Sequence, residues 1–168
     1  NKKNFIKTIK VDFLKDQELS EFIKELRAFS RVDVLINNAG INIISNVEEI
    51  ANDDWEKINH INLKIPFILT RLVIPKMKKN KYGKIINISS IFSEKSKEKR
   101  ASYSSSKAGL NGLTRASAIE VGKYNILINS ISPGFVKTQL TKKILTNKEM
   151  KLLEKQLPIK RFAEVRDI

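Results

Sequence analysis

The sequence predicts an α/β protein organised around a parallel sheet. Short apolar runs alternate with longer stretches of helical periodicity along the chain, as strand–helix–strand units require. The apolar runs also lead into residues that stop strands and open loops, among them Asp12, Asn37-Asn38 and Pro133-Gly134.

Taken in order, Phe5 to Val11 reads as a strand ending at Asp12. Asp16 to Phe29 reads as a helix with Leu19, Phe22, Ile23 and Leu26 along one stripe. Val32 to Ile36 is a buried strand running into Asn37-Asn38-Ala39-Gly40. A long helix is expected from Asp53 to Lys79, with Asn52 or Asp53 as its N-cap. Lys84 to Ile88 is the next strand, opened by the turn at Tyr82-Gly83. Ser102 to Val121 is a second long helix that Gly122 terminates. Ile126 to Ile131 is the last strand, and Leu140 to Leu157 is a lysine-rich helical or mobile stretch. With no repeat, linker or composition break, residues 1–168 read as one domain. Both ends read as cut: the chain opens on Asn1 and a strand, and a helix starts at Arg166-Asp167-Ile168.

Composition removes several function classes. No apolar run approaches the roughly 20 residues that span a bilayer, which excludes a membrane protein. The first residues lack the apolar segment and cleavage site of a signal peptide, so the cytoplasm is the expected compartment. Zero cysteine removes disulfides, thiolate metal sites and cysteine nucleophiles together. The net charge of +14 raises nucleic-acid binding, but the lysines are scattered among many asparagines and isoleucines. That pattern reads as lysine-biased composition, and neither a nucleic-acid nor a membrane partner is expected.

Tyr103 and Lys107 stand four apart on a predicted helix, hence on one face, a turn from each other. Reducing a carbonyl needs a proton for the oxygen as hydride reaches the carbon. A tyrosine supplies it when its pKa, about 10 unperturbed, is pulled toward neutrality. A neighbouring ammonium exerts that pull by favouring the phenolate. The bland alternative is an exposed aromatic beside a solvated lysine. Ser90 lies 13 residues earlier, at the C-terminal end of a predicted strand, where open α/β sheets bind ligands. Its hydroxyl can stabilise charge developing on a substrate oxygen. Ser89 is the alternative, since side chains alternate across a strand. Asn62 lies in the long helix, and Pro66, four residues on, has no N–H for its carbonyl. A kink and a free carbonyl able to hold a water follow; the bland alternative is a surface asparagine. Asn38, Ala39 and Gly40 follow a strand directly and let the backbone approach a cofactor. Pro133-Gly134 closes another strand at the same sheet edge and can line a nicotinamide, and Asp12 can accept from an adenine amino group.

In order and spacing, Asp12, Asn37-Asn38-Ala39-Gly40, Asn62, Ser90, Tyr103-x-x-x-Lys107 and Pro133-Gly134-x-x-x-Thr138 resemble the short-chain dehydrogenase/reductases, nearest the 3-oxoacyl-(acyl-carrier-protein) reductase type. The resemblance implies an incomplete Rossmann-type doubly wound parallel sheet, holding strands 3 to 6 of seven. It implies Tyr103 as general acid/base, Lys107 as its activator and ribose ligand, Ser90 orienting substrate and Asn62 anchoring a relay water. Asp12 and the Phe13 backbone would face adenine, and Asn38, Ala39 and Gly40 the ribose. Val136 and Thr138 would run along the carboxamide and pyrophosphate, beyond Pro133 and Gly134 at the nicotinamide. The implied cofactor is NAD or NADP, with NADP favoured. The implied substrate is a small carbonyl or alcohol, such as a carrier-protein-bound fatty-acyl intermediate, and the implied assembly a homodimer or homotetramer.

The sequence departs from the family in lacking the glycine-rich phosphate turn, since its first glycine is Gly40. The segment Ile91 to Ser102 is also charged where the family is small or apolar, which suits an anionic or sugar-like substrate as well as an acyl one. A sugar or polyol substrate, or a non-catalytic remnant, therefore stands beside the leading expectation. His60 and Trp55 read as structural, and Lys76 to Lys81 as a solvated basic helix end.

Overall fold

Three parallel strands in chain order form the sheet of the computed structural model, which describes residues 6–168. They are β1 (Val34–Asn37), β2 (Gly83–Ile88) and β3 (Ile126–Ile131), with Val34 opposite Lys84 and Lys84 opposite Leu127. Parallel neighbours need long crossovers. Helices α2 (Asn52–Asn59) and α3 (Ile65–Asn80) supply the first, and α4 (Ala101–Val121) the second. Helix α1 (Asp16–Ala28) precedes β1, and α5 (Gln139–Ile144) and α6 (Asn147–Gln156) follow β3.

Alternation along the strands sends Leu35, Ile85 and Ile128 to one face, where they meet α3 and α4. There Val73, Met77, Ile85, Val121, Ile126 and Ile128 form the core, and Leu19, Ile65 and Leu69 seat α1 beside it. Gly83 opens β2 because Met77 fills its side-chain space: a Cβ there would lie 2.3 Å from the Met77 sulfur. Gly83→Ala is expected to cost about 1–3 kcal/mol through overpacking, read by denaturant unfolding.

The opposite sheet face carries Val34, Ile36, Leu127 and Ile131, all 36% exposed or more. Parallel sheets are ordinarily covered on both faces, and among the described residues nothing covers this one. Residues 1–168 as a separate polypeptide are expected to bind a hydrophobic dye and to self-associate. Ile36→Thr combined with Leu127→Thr should reduce both signals.

Several sequence expectations change. The strand expected at Phe5 to Val11 is not one: residues 6–11 pair with no strand among the described residues, and Phe5 lies outside them. Apolar alternation gives only a propensity, whereas a ladder needs a partner edge. The helix expected from Asp53 begins at Asn52 after Ala51, so neither Asn52 nor Asp53 caps it. Helix α4 does end at Val121 with Gly122 as its C-cap, but Gly122 is right-handed; a 3-10 turn, Gly122–Tyr124, follows, and Asn125 takes the left-handed conformation at φ 59°. The stretch expected from Leu140 to Leu157 splits into α5 and α6 because Thr146 and Glu149 form a reciprocal capping box. Trp55 is 39% exposed and is not a packing anchor. The basic run after Lys76 is only partly solvated: the Lys76 ammonium donates to the Arg27 carbonyl at 2.8 Å, holding the end of α1.

Candidate active site

The C-terminal ends of the three strands open onto one cleft. The end of β2 is fastened to that of β3 beyond the ladder: the Ser89 N–H donates to the Ile131 carbonyl (2.7 Å) and the Ile91 N–H to that of Pro133 (3.0 Å). A cavity of about 310 Å³ lies there, lined by Asn38, Gly40, Ser89, Ser90, Tyr103, Lys107, Pro133, Gly134, Val136 and Thr138. Open α/β sheets bind ligands at this edge.

Helix α4 delivers Tyr103 and Lys107 to the cleft, one turn apart. The Lys107 ammonium is buried, donates to the Ile88 carbonyl at 2.7 Å and stands 5.8 Å from the Tyr103 ring centroid. Burial pushes its pKa down to about 8. Burial pushes the Tyr103 phenol above its ordinary value, opposite to the fall expected from Lys107, while the Ser90 hydroxyl and the Arg100 guanidinium pull it back. Arg100 is thus a second cation beside the phenol, which the sequence expectation did not include. Ser90 is buried and accepts from the Phe92 N–H at 3.2 Å. Ser89 lines the same cleft but spends its hydroxyl on the Lys107 carbonyl at 3.3 Å.

Asn62 is fully buried rather than a surface residue. It sits in a π-helical turn, His60–Lys64, between α2 and α3, and Pro66 follows just inside α3. The kink expected from Pro66 takes this form, with the Ile65 N–H reaching back to the His60 carbonyl. The side chain of Asn62 accepts from the Ile41 N–H (2.9 Å) and donates to the Ile41 carbonyl (2.9 Å) and the Ser106 hydroxyl (3.0 Å). It therefore holds the loop after β1 against α4. Asn62→Ala is expected to cost about 3 kcal/mol by leaving buried partners unpaired; denaturant unfolding reads it, and a loss below about 1 kcal/mol would contradict this packing role.

The remaining predicted contacts divide. Gly40 lies deep in the cleft, where a Cβ would stand 3.4 Å from the Asn62 Oδ1 and 3.6 Å from the Lys107 ammonium. Asn38, Ala39 and Phe13 line a second cavity of about 200 Å³ beside β1. Asp12 lines neither cavity; its carboxylate accepts from the Leu14 N–H at 3.0 Å and shapes the entry to α1. His60 lies outside the cleft with a ring nitrogen 2.9 Å from the Phe13 carbonyl. Thr138 caps α5. Phe92 meets Tyr103 and Phe135 edge-on, and Phe135 stacks on the buried Phe162, which fixes the loop after β3 over the site.

One buried network was not anticipated. The Asn37 amide donates to Asn87 and the Asn87 amide to Thr114, each at 2.8 Å, crossing from β1 through β2 to α4 under the cleft. The readable signal was an asparagine inside each apolar strand, since a buried amide must find partners.

A parallel sheet with tyrosine, lysine and serine at one strand-end cleft defines a class of α/β enzyme scaffold. The chain matches the short chain dehydrogenase family over residues 1–149 and belongs to it. It is 37% identical over 161 residues to the 3-oxoacyl-(acyl-carrier-protein) reductase FabG of Rickettsia conorii, covering 96% of this chain and 66% of that protein. The FabG of Thermotoga maritima is 33% identical over 154 residues, covering 92% and 62%. Among solved structures, a 4-hydroxyisoleucine dehydrogenase complexed with NADH superposes with a TM-score of 0.86 at 33% identity, over 95% of this chain and 67% of that one. A gluconate 5-dehydrogenase from Burkholderia cenocepacia, in complex with NADP and tartrate, gives 0.83 at 29%, over 92% and 61%. The chain spans about two thirds or less of the length of these FabG relatives.

Proposed function

We propose that the protein is a nicotinamide-dependent oxidoreductase that interconverts a ketone and a secondary alcohol. The observation that carries the reading is the shared cleft of Ser90, Tyr103 and Lys107 at the C-terminal strand ends. The cleft suits the nicotinamide–ribose half of NAD or NADP: it offers the Lys107 ammonium and the hydroxyls of Tyr103 and Thr138, with Gly40 allowing close backbone approach. When bound, the nicotinamide supplies or accepts the hydride. Tyr103, protonated at neutral pH, gives its phenolic proton to the carbonyl oxygen, and in oxidation the phenolate takes it back. Ser90 holds that oxygen and Lys107 binds the ribose hydroxyls. Asn62 positions the loop after β1 and, through its backbone carbonyl, a relay water. Phe13, Asn38 and Ala39 face the adenosine half, with Asp12 at its edge, while Pro133, Gly134 and Val136 border the carboxamide.

The FabG relatives support a 3-oxoacyl substrate carried as a thioester, and NADP is the cofactor favoured by the family resemblance. A sugar or polyol derivative is the second reading, favoured by the charged rim from Glu94 to Lys99 and by the gluconate 5-dehydrogenase neighbour. The full-length protein would work in the cytoplasm as a homodimer or homotetramer. The test is oxidation of NADPH and NADH by the full-length protein with acetoacetyl thioesters, sugar ketones and simple ketones. Turnover dependent on Tyr103 supports the proposal; no turnover with any carbonyl contradicts it.

A further inference from the structure

Arg100 is a buried cation without a counter-charge among the described residues. It is 7% exposed, stands immediately before α4 and one turn from Tyr103, and the nitrogens Nε and Nη1 have no hydrogen-bond partner among the described residues. Lys99, in the left-handed conformation at φ 63°, reverses the chain just ahead of it, so that Arg100 turns inward while residues 94–99 stay exposed. Arg100 lines, with Ser90, Tyr103, Phe135, Ile144 and Leu145 among others, a cavity of about 90 Å³ that shares Ser90 and Tyr103 with the main cleft. Among the described residues Arg100 is the only charged side chain in that wall. A desolvated guanidinium is costly unless an anion accepts its hydrogen bonds, and a carboxylate matches its planar fork.

We infer that Arg100 is the specificity-determining residue of the site and anchors a carboxylate carried by the substrate, so that the enzyme takes an oxo or hydroxy acid. The inference rests on the oxidoreductase reading for the identity of the reacting group, but not for the anion site itself. Ser90 and Tyr103 hold the reacting oxygen where the two cavities meet, and Arg100 fixes the acid end in the side cavity.

The test uses the full-length protein and matched pairs: 3-hydroxybutyrate with its methyl ester, and gluconate with glucitol. Binding is measured by calorimetry with and without nicotinamide cofactor, and kcat/KM where turnover occurs. Wild type is expected to prefer one acid over its neutral partner by about 30-fold or more, the scale for losing one partner of a buried charge pair. Arg100→Gln should abolish that ratio, Arg100→Lys should keep part of it, and Lys95→Gln on the rim should leave it within about twofold. Acid binding that persists in Tyr103→Phe while turnover is lost separates the anion site from the chemistry. Acid binding by a protein that reduces nothing would support the Arg100 site and overturn the reaction. Equal affinity for acid and neutral partner in wild type, or a preference that survives Arg100→Gln, overturns the inference. A carboxylate of the protein itself satisfying Arg100 would give the first of these results.

Discussion

Tyr103→Phe is expected to lower turnover by about 1000-fold or more, the range of a lost general acid, while cofactor affinity stays within about threefold. The substitution removes only the hydroxyl. The ring keeps its edge-on contact with Phe92, 6.5 Å between centroids, so the loop after Ser90 keeps its seat. The direction of the pKa also sets the pH dependence. Burial raises the phenol, so it is protonated at neutral pH and ready to donate. Reduction should therefore fall as pH rises through the phenol's pKa, and oxidation should rise over the same range. Steady-state rates in both directions, with cofactor binding measured by fluorescence, check this. Equal pH profiles in both directions would contradict it.

Lys107→Ala is expected to damage both functions, lowering turnover by about 100-fold and weakening cofactor binding, because in the proposed site the ammonium holds the ribose one helical turn from the phenol. Its burial also has a stability consequence with a definite sign. The ordinary value of 10.5 falls to about 8 in the folded protein. Below about pH 8 both states are protonated, and the fold carries the full cost of a desolvated ammonium. Between about 8 and 10.5 the unfolded chain binds more protons, so stability rises with pH across that window. Lys107→Met removes the titration. Wild type should therefore gain stability relative to this variant from pH 8 to 10.5 in urea unfolding of the full-length protein. A constant difference across the window would contradict the burial argument.

The parts of the site that periodicity controls were legible in the sequence. Tyr103 and Lys107 share a face because a helix returns every 3.6 residues, and β3 has the expected bounds because Pro133-Gly134 closes its loop. Pro66 marked the disturbance that became the π-helical turn at Asn62. What depended on tertiary partners was not legible. Residues 6–11 carry a strand-like pattern, but pairing belongs to two edges, not one. The charges from Glu94 to Arg100 read as a solvated rim, and only the backbone reversal at Lys99 decides which of them points inward. The break at Thr146 was readable and missed: Thr-x-x-Glu is a helix-start signal lying inside a lysine-rich stretch.

Every role proposed for the Tyr103 cleft depends on hydride transfer there. The most direct test is to incubate the full-length protein with NADPH or NADH deuterated at nicotinamide C4 and a panel of 3-oxo acids, 3-oxoacyl thioesters and sugar ketones. Mass spectrometry of the alcohols then reads the label. One deuterium is expected on the new carbinol carbon, from one face of the nicotinamide, with product formation lost in Tyr103→Phe. Unlabelled alcohol, or labelled alcohol formed equally well by Tyr103→Phe, would contradict it.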